Sequence, residues 1–261
     1  MTQIGYGLAV AAPEPTILAT ACAAEGAGFS TFWLNHPPNG DALPLLARVA
    51  GATSRVWLGT GVIPVSHRSP ESILAGLDEN SLPRSRFRLG IGSGTGAAPL
   101  RRVREAIAEL RPAAGCEIVL AALGPQMCRL AGEQADAVLL NWMPPGPAGE
   151  AAAQVLEGAE AAGRPRPGIY AYVRVALGDE SLARLEQEGS SYAAIPHYGA
   201  SFQRMGLAPA ETAVRGRTPD EIKEGLRAWD GVVDEVVVRA LPAHDREDEA
   251  LAILEAARGV F

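Results

Sequence analysis

The stretch Phe87–Asn141, FRLGIGSGTGAAPLRRVREAIAELRPAAGCEIVLAALGPQMCRLAGEQADAVLLN, decides the fold. It contains three short apolar runs, Phe87–Gly92, Glu117–Ala122 and Ala137–Asn141, with Ala/Leu/Glu-rich stretches at Pro99–Leu110 and Pro125–Glu133 between them. Apolar runs of this length bounded by Gly and Pro read as buried strands, and the stretches between them read as helices. The same rhythm extends outward in both directions. Towards the N-terminus it predicts strands at Ile4–Val10, Phe29–Leu34 and Arg55–Ile63, with helices at Glu14–Ala27, Ala42–Gly51 and Pro70–Leu82. Towards the C-terminus it predicts a helix at Glu150–Ala162, a strand at Ile169–Val175 and a longer helical region, Glu180–Ala213, broken near Pro196–Gly199. A helix at Pro219–Trp229, a strand at Val232–Val238 and a helix at Asp248–Arg258 complete the chain. Eight strands alternating with helices over 261 residues predict one (β/α)8 barrel domain spanning residues 1–261 rather than an open sheet.

Composition removes several functional classes. No apolar run approaches the roughly 18 residues that a membrane helix needs. No basic-then-apolar leader precedes the first strand, which predicts a cytoplasmic protein. The formal net charge of −7 argues against a nucleic-acid partner, whose phosphates call for clustered Lys and Arg. Cys22, Cys116 and Cys128 are odd in number and unpaired in spacing, as expected of reduced thiols. The four histidines show no metal-ligand spacing, so no metal site is expected. A barrel aldolase would need a Schiff-base lysine on a strand, and the only lysine, Lys223, falls in a helix.

In a barrel of this kind the chemistry sits just after the strands. Those positions are Asn35-His36-Pro37, Thr60-Gly61-Val62-Ile63-Pro64, Gly92-Ser93-Gly94-Thr95-Gly96, Ala122-Leu123-Gly124-Pro125 and Asn141-Trp142. The Gly92–Gly96 run reads as a phosphate cradle or as a flexible strand-to-helix turn. Leu123-Gly124-Pro125-Gln126-Met127 reads as a second anion cradle or as an ordinary proline-started helix. His36 is the candidate for proton transfer, with an exposed loop histidine as the alternative. His67-Arg68 reads as an anion contact or as a solvated turn; His197, Tyr198 and His244 read as surface or packing residues. Trp142 reads as a ring stacked on a ligand or as packing at the barrel rim.

Ala24–Leu34 (AEGAGFSTFWL), Arg55–Val62 (RVWLGTGV) and Arg86–Gly94 (RFRLGIGSG) resemble the first third of a luciferase-like oxidoreductase. Ala121–Asn141 is similar to the branch that uses the deazaflavin coenzyme F420. The resemblance implies a small-molecule oxidoreductase with the cofactor lying across the barrel mouth. It places Gly61-Val62 behind the ring in a backbone bulge, Asn35 and His36 near the reactive face, Gly124-Pro125-Gln126-Met127 on the phosphate and Asn141-Trp142 beside the ring. Thr60, Gly92, Ser93, Gly94, Ala122 and Leu123 fall in the same cofactor-binding set, and a homodimer is implied. F420-linked hydride transfer is the first reading; an FMN-dependent monooxygenase and a non-catalytic flavin-binding barrel are the alternatives.

Three departures stand out. Asn35 replaces a common Asp, and Thr95 stands where sugar-phosphate dehydrogenases of that branch have Glu. Only Arg111–Cys116 joins the fourth helix to the fifth strand, where the family usually carries a longer segment over the pocket. The short link predicts a pocket that is more open, completed by a partner subunit, or without a redox role.

Overall fold

The computed structural model describes residues 1–37 and 40–261. Eight parallel strands form the barrel: β1 Gln3–Leu8, β2 Thr31–Leu34, β3 Trp57–Thr60, β4 Phe87–Gly92, β5 Glu117–Ala122, β6 Ala137–Asn141, β7 Gly168–Leu177 and β8 Glu235–Ala240. Each pairs with its neighbour in sequence, and β8 pairs with both β7 and β1, which closes the sheet. Between the strands run α1 Glu14–Gly26, α2 Ala42–Ala52, α3 Pro70–Glu79, α4 Pro99–Ala114, α5 Pro125–Gln134 and α6 Pro145–Ala161. After β7 come α7 Asp179–Ala193, α8 Pro196–Met205 and α9 Pro219–Arg227, and α10 Glu247–Ala257 follows β8. The chain is a (β/α)8 barrel, as its strand rhythm predicts.

The differences from expectation are local and have physical causes. The run Arg55–Ile63 is not one strand: it leaves its ladder after Thr60, and Ile63–Pro64 then pairs with the end of β4. The intervening Gly61–Val62 peptide is cis. Helix α4 passes Leu110 and Pro112 and ends at Ala114, where Gly115 takes the left-handed conformation (φ 61°) that stops a helix. Strand β8 starts at Glu235 rather than Val232, because the turn Trp229–Val232, with Gly231 at φ 74°, uses the residues before it. A short strand, Val214–Gly216, extends the sheet beside the end of β7. Among the described residues no helix is long and apolar enough to cross a membrane.

Alternation along the strands separates two buried layers. Outward residues such as Phe32, Leu34, Leu58, Leu89 and Val236 pack against the helices. Inward residues Trp33, Val119, Leu139, Tyr170, Tyr172 and Val237 form a smaller cluster inside the barrel. Trp33 fits there because Gly59 opposes it: a Cβ on Gly59 would lie 2.3 Å from the indole. Below that apolar layer, at the N-terminal end, Arg88 bonds Glu235 at 2.8 Å and Glu117 at 3.1 Å, and its guanidinium lies 4.2 Å over the Tyr170 ring. Thr31 and Ser30 hydroxyls also donate to Glu235, and the Tyr170 hydroxyl donates to Glu117. Burial opposes the charge on Arg88, but Glu235 and then Glu117 outweigh it and hold the group protonated.

Glu235 is fully buried, so removing its cation leaves an uncompensated charge. Arg88→Met is therefore expected to lower the unfolding free energy by about 3–5 kcal/mol. Urea denaturation checks this, and Arg88→Met combined with Glu235→Gln should recover part of the loss. A single-variant loss below about 1 kcal/mol would show that the network is not holding this end of the barrel.

Candidate active site

At the opposite end the strand termini surround a cavity of about 790 Å³. That is within the range of small-molecule sites. Asn35 and His36 line it after β2, Gly61 and Val62 after β3, and Gly92, Ser93 and Gly94 at the end of β4. Ala122, Leu123, Gly124 and Met127 line it after β5, and Asn141 ends β6 in the same wall. Twelve of the residues singled out from sequence thus face one space.

Four do not line it. Thr60 is fully buried and tied to Gly90, donating its hydroxyl to the Gly90 carbonyl and accepting the Gly90 N–H, each at 2.9 Å. Pro125 and Gln126 belong to the first turn of α5 and are exposed to solvent, outside the cavity lining. Trp142 turns away from the cavity: its backbone takes φ 53°, and its indole packs with Leu185, Phe202 and Tyr192 beneath the Arg174 guanidinium, 3.8 Å from the ring. Its place is in the wall behind Arg174, not beside a ligand.

His36 is not an exposed loop residue. It is 8 % exposed, and its Nδ1 accepts the Ala42 N–H at 3.2 Å at the start of α2. Asp41 lies farther away, 3.8 Å, and one of its oxygens already caps α2 by accepting from Leu43 N–H. An Nδ1 that accepts places the ring hydrogen on Nε2. Burial lowers the pKa below the usual 6.5; Asp41 opposes this and Arg68 adds to it. At neutral pH His36 is therefore an uncharged donor beside the cavity. Asn35 uses its Oδ1 to accept the Val10 N–H at 2.7 Å, a contact a carboxylate oxygen would make equally well, so the exchange for Asp leaves this anchor in place.

Arg102 of α4 reaches back and donates to the carbonyls of Ser93, Thr95 and Ala97 at 3.0, 2.9 and 2.7 Å. It turns those carbonyls away from any ligand and fixes the glycine-rich loop. At the second cradle, a Cβ on Gly124 would meet nothing within 4 Å, so the backbone is open to a ligand. Arg204 of α8 donates to the Leu123 carbonyl at 2.8 Å and brings a cation to the same place.

The cover missing from the β4–β5 link is supplied elsewhere. Tyr192, Ile195, His197, Tyr198 and Arg204, from α7, α8 and the turn between them, line the cavity opposite the strand ends. Tyr198 accepts from Asn141 Nδ2 at 3.3 Å, stands edge-on to Tyr192 with centroids 4.7 Å apart, and is pushed up to about 12 by burial. His197 is exposed and Tyr198 packs against Tyr192, as a surface or packing reading has it, and both also border the cavity, which that reading did not include.

The inward residues of β7 and β8, Tyr172, Arg174 and Arg239, form the floor. Their signal in the sequence was an arginine in each of two apolar strands, YAYVRVAL and EVVVRA, at the same two-residue period as the inward-facing core. The residues present fit a ring-and-phosphate cofactor: Gly61 and Val62 line one wall, an unobstructed cradle with a cation stands at Gly124, and the cavity has sufficient volume.

A family model described as luciferase-like monooxygenase matches residues 3–112 and 100–256. The chain belongs to the luciferase-like monooxygenase family. A 5,10-methylenetetrahydromethanopterin reductase of Methanolobus tindarius is 28% identical over 231 residues, covering 73% of this chain and 71% of that protein. The coenzyme F420-dependent tetrahydromethanopterin reductase of Methanopyrus kandleri superposes with a TM-score of 0.75 at 18% identity, over 98% of both chains. The FMN-bound oxygenating constituent of 3,6-diketocamphane monooxygenase from Pseudomonas putida superposes with a TM-score of 0.73 at 14% identity, over 99% and 98%. These two likenesses show the fold that the luciferase-like chain adopts.

Burial predicts that His36 titrates below 6.5, and the hydrogen bond from Ala42 predicts that its neutral-state hydrogen sits on Nε2. Nitrogen-resolved NMR of the histidine side chains checks both. A pKa above 6.5, or a hydrogen on Nδ1, would contradict the arrangement.

Proposed function

We propose that this chain is an oxidoreductase that exchanges hydride between coenzyme F420 and a small organic substrate. The observation that carries this reading is the convergence of the Gly61–Val62 wall, the open Gly124 backbone and the neutral His36 on one cavity that α7 and α8 also line. The likeness to a putative coenzyme F420-dependent oxidoreductase of Mycobacterium tuberculosis, 34% identical over 135 residues and 47% of this chain, supports the deazaflavin as the first reading, with FMN the alternative.

Bound F420 would supply the hydride-transferring ring. The chain's own part is positioning, water exclusion and charge stabilisation. Gly61 and Val62 line one wall, with the Tyr172 ring packed beside Gly61. Gly124 and Met127, with Arg204, hold the phosphate at the first turn of α5, where unpaired N–H groups favour an anion. Tyr192, Ile195 and Tyr198 cover the reacting space and keep water out. His36 donates a hydrogen bond from Nε2–H to a substrate oxygen that gains charge; the neutral ring keeps its proton, and the product takes its own from solvent on release.

Titration with each cofactor separately is expected to show micromolar or tighter binding of F420, and His36→Ala is expected to reduce turnover by about 10²- to 10³-fold without loss of F420 affinity. FMN binding without F420 binding would replace the deazaflavin by a flavin. Turnover unchanged in His36→Ala would remove the charge-stabilising role of His36.

A further inference from the structure

The two ends of the barrel interior carry opposite charge balances. At the N-terminal end one guanidinium, Arg88, faces two carboxylates, Glu117 and Glu235, and hydroxyl donors complete the network. At the cavity end two guanidiniums share one carboxylate. Arg174 Nε lies 3.1 Å from Glu188 Oε1, and Arg239 Nη2 lies 3.8 Å from Glu188 Oε2. The adjacent Arg184 and Asp245 neutralise each other through a bidentate pair at 2.8 and 3.0 Å. One positive charge in this group is left without a carboxylate.

Neither arginine is saturated by the protein. Arg174 also donates to Asn141 Oδ1, and Arg239 donates to the carbonyl of Ala240. A guanidinium fork offers more donors than these acceptors take up. Both side chains are almost fully buried, and both still border the cavity. Beside them the buried Tyr172 hydroxyl has no hydrogen-bond partner among the described residues. In the Arg88 cluster the surplus carboxylate charge is taken up by the Ser30, Thr31 and Tyr170 hydroxyls. At the cavity end the surplus guanidinium charge meets only Asn141 Oδ1 and the Ala240 carbonyl and faces the cavity, and an uncompensated buried charge is costly. Arg174 is further held flat against Trp142 at 3.8 Å and within 5.0 Å of the Tyr192 ring, which fixes its plane before any ligand arrives.

We propose that Arg174 and Arg239 form a carboxylate-binding subsite on the cavity floor, so that the substrate is a small organic acid anion rather than a neutral alcohol or aldehyde. Planar guanidiniums match the geometry of a carboxylate, and in a covered cavity that pairing is strong. The assignment rests on the reading of the cavity as a substrate pocket. Glu188 then sets the strength of the subsite from behind, because it does not line the cavity and offsets one of the two charges.

The test is calorimetric titration of the full-length protein with succinate and, separately, with the uncharged succinamide, each with and without saturating F420. Saturable succinate binding at about millimolar affinity or tighter, without binding of succinamide, is expected. Glu188→Gln raises the charge of the subsite and is expected to tighten succinate binding by about tenfold, whereas Arg239→Met removes it and is expected to weaken binding by about tenfold or more. A purely structural cluster would lose affinity in both variants or in neither. If Arg239→Met does not fold, Arg239→Met combined with Glu188→Gln restores the charge balance and is expected to bind succinate as the unaltered protein does. Equal binding of succinate and succinamide, or unchanged affinity in Glu188→Gln, overturns the proposal. So does displacement of succinate by F420, which would assign the cations to an acidic group of the cofactor. The F420 titration reports on the cofactor separately: succinate binding in a protein that does not bind F420 would leave this subsite standing and remove the proposed redox function.

Discussion

A strand closed into a barrel directs every second side chain inward, and eight strands leave little room for what points there. In this protein that constraint sorts the interior into three levels along the barrel axis. Arg88, Glu117, Glu235 and Tyr170 close the N-terminal end, Trp33, Val119, Leu139 and Val237 fill the middle, and Tyr172, Arg174, Arg239 and Asn141 reach the cavity. The register of β7 shows the logic in one strand: Tyr170, Tyr172 and Arg174 are successive inward positions, facing in turn the ionic network, the apolar layer and the cavity. The same hydrogen-bond ladder that stabilises the barrel thus fixes the position of the cationic floor to within a residue.

The cover over the cavity follows from a redistribution of chain. The link from α4 to β5 is short, and the segment between β7 and β8 is long enough for α7, α8 and a 3-10 turn at Pro209–Thr212. Tyr198 and Arg204 of α8 each bond a strand terminus, through Asn141 and the Leu123 carbonyl. The roof is therefore joined to the walls at two points, both next to positions where a ligand would bind. The pocket need not be open, or be completed by a second subunit, merely because the β4–β5 link is short.

Much of the fold was legible because burial on both faces gives parallel strands unbroken apolar runs. Phe87–Gly92, Glu117–Ala122 and Ala137–Asn141 fall where their composition puts them. Boundaries set by backbone conformation were less visible: the break after Thr60 and the left-handed stop at Gly115 depend on torsions that composition only hints at. Of the site, the positions following strands two to six were legible, because their glycines and small residues mark the cavity rim. His36 was legible as a candidate, but its burial and tautomer were not, since both depend on the Ala42 N–H across a loop. Arg174, Arg239, His197 and Tyr198 were missed for a different reason: their significance lies in which way a strand faces and how a broken helix folds back, and both are set by tertiary packing.

The proposed cofactor site is decided by a crystal structure of the protein soaked with F420. The ring system is expected beside Gly61–Val62 within reach of His36, and the phosphate at the first turn of α5 beside Arg204. F420 bound elsewhere, or a cavity that stays empty under saturating F420, would contradict that placement.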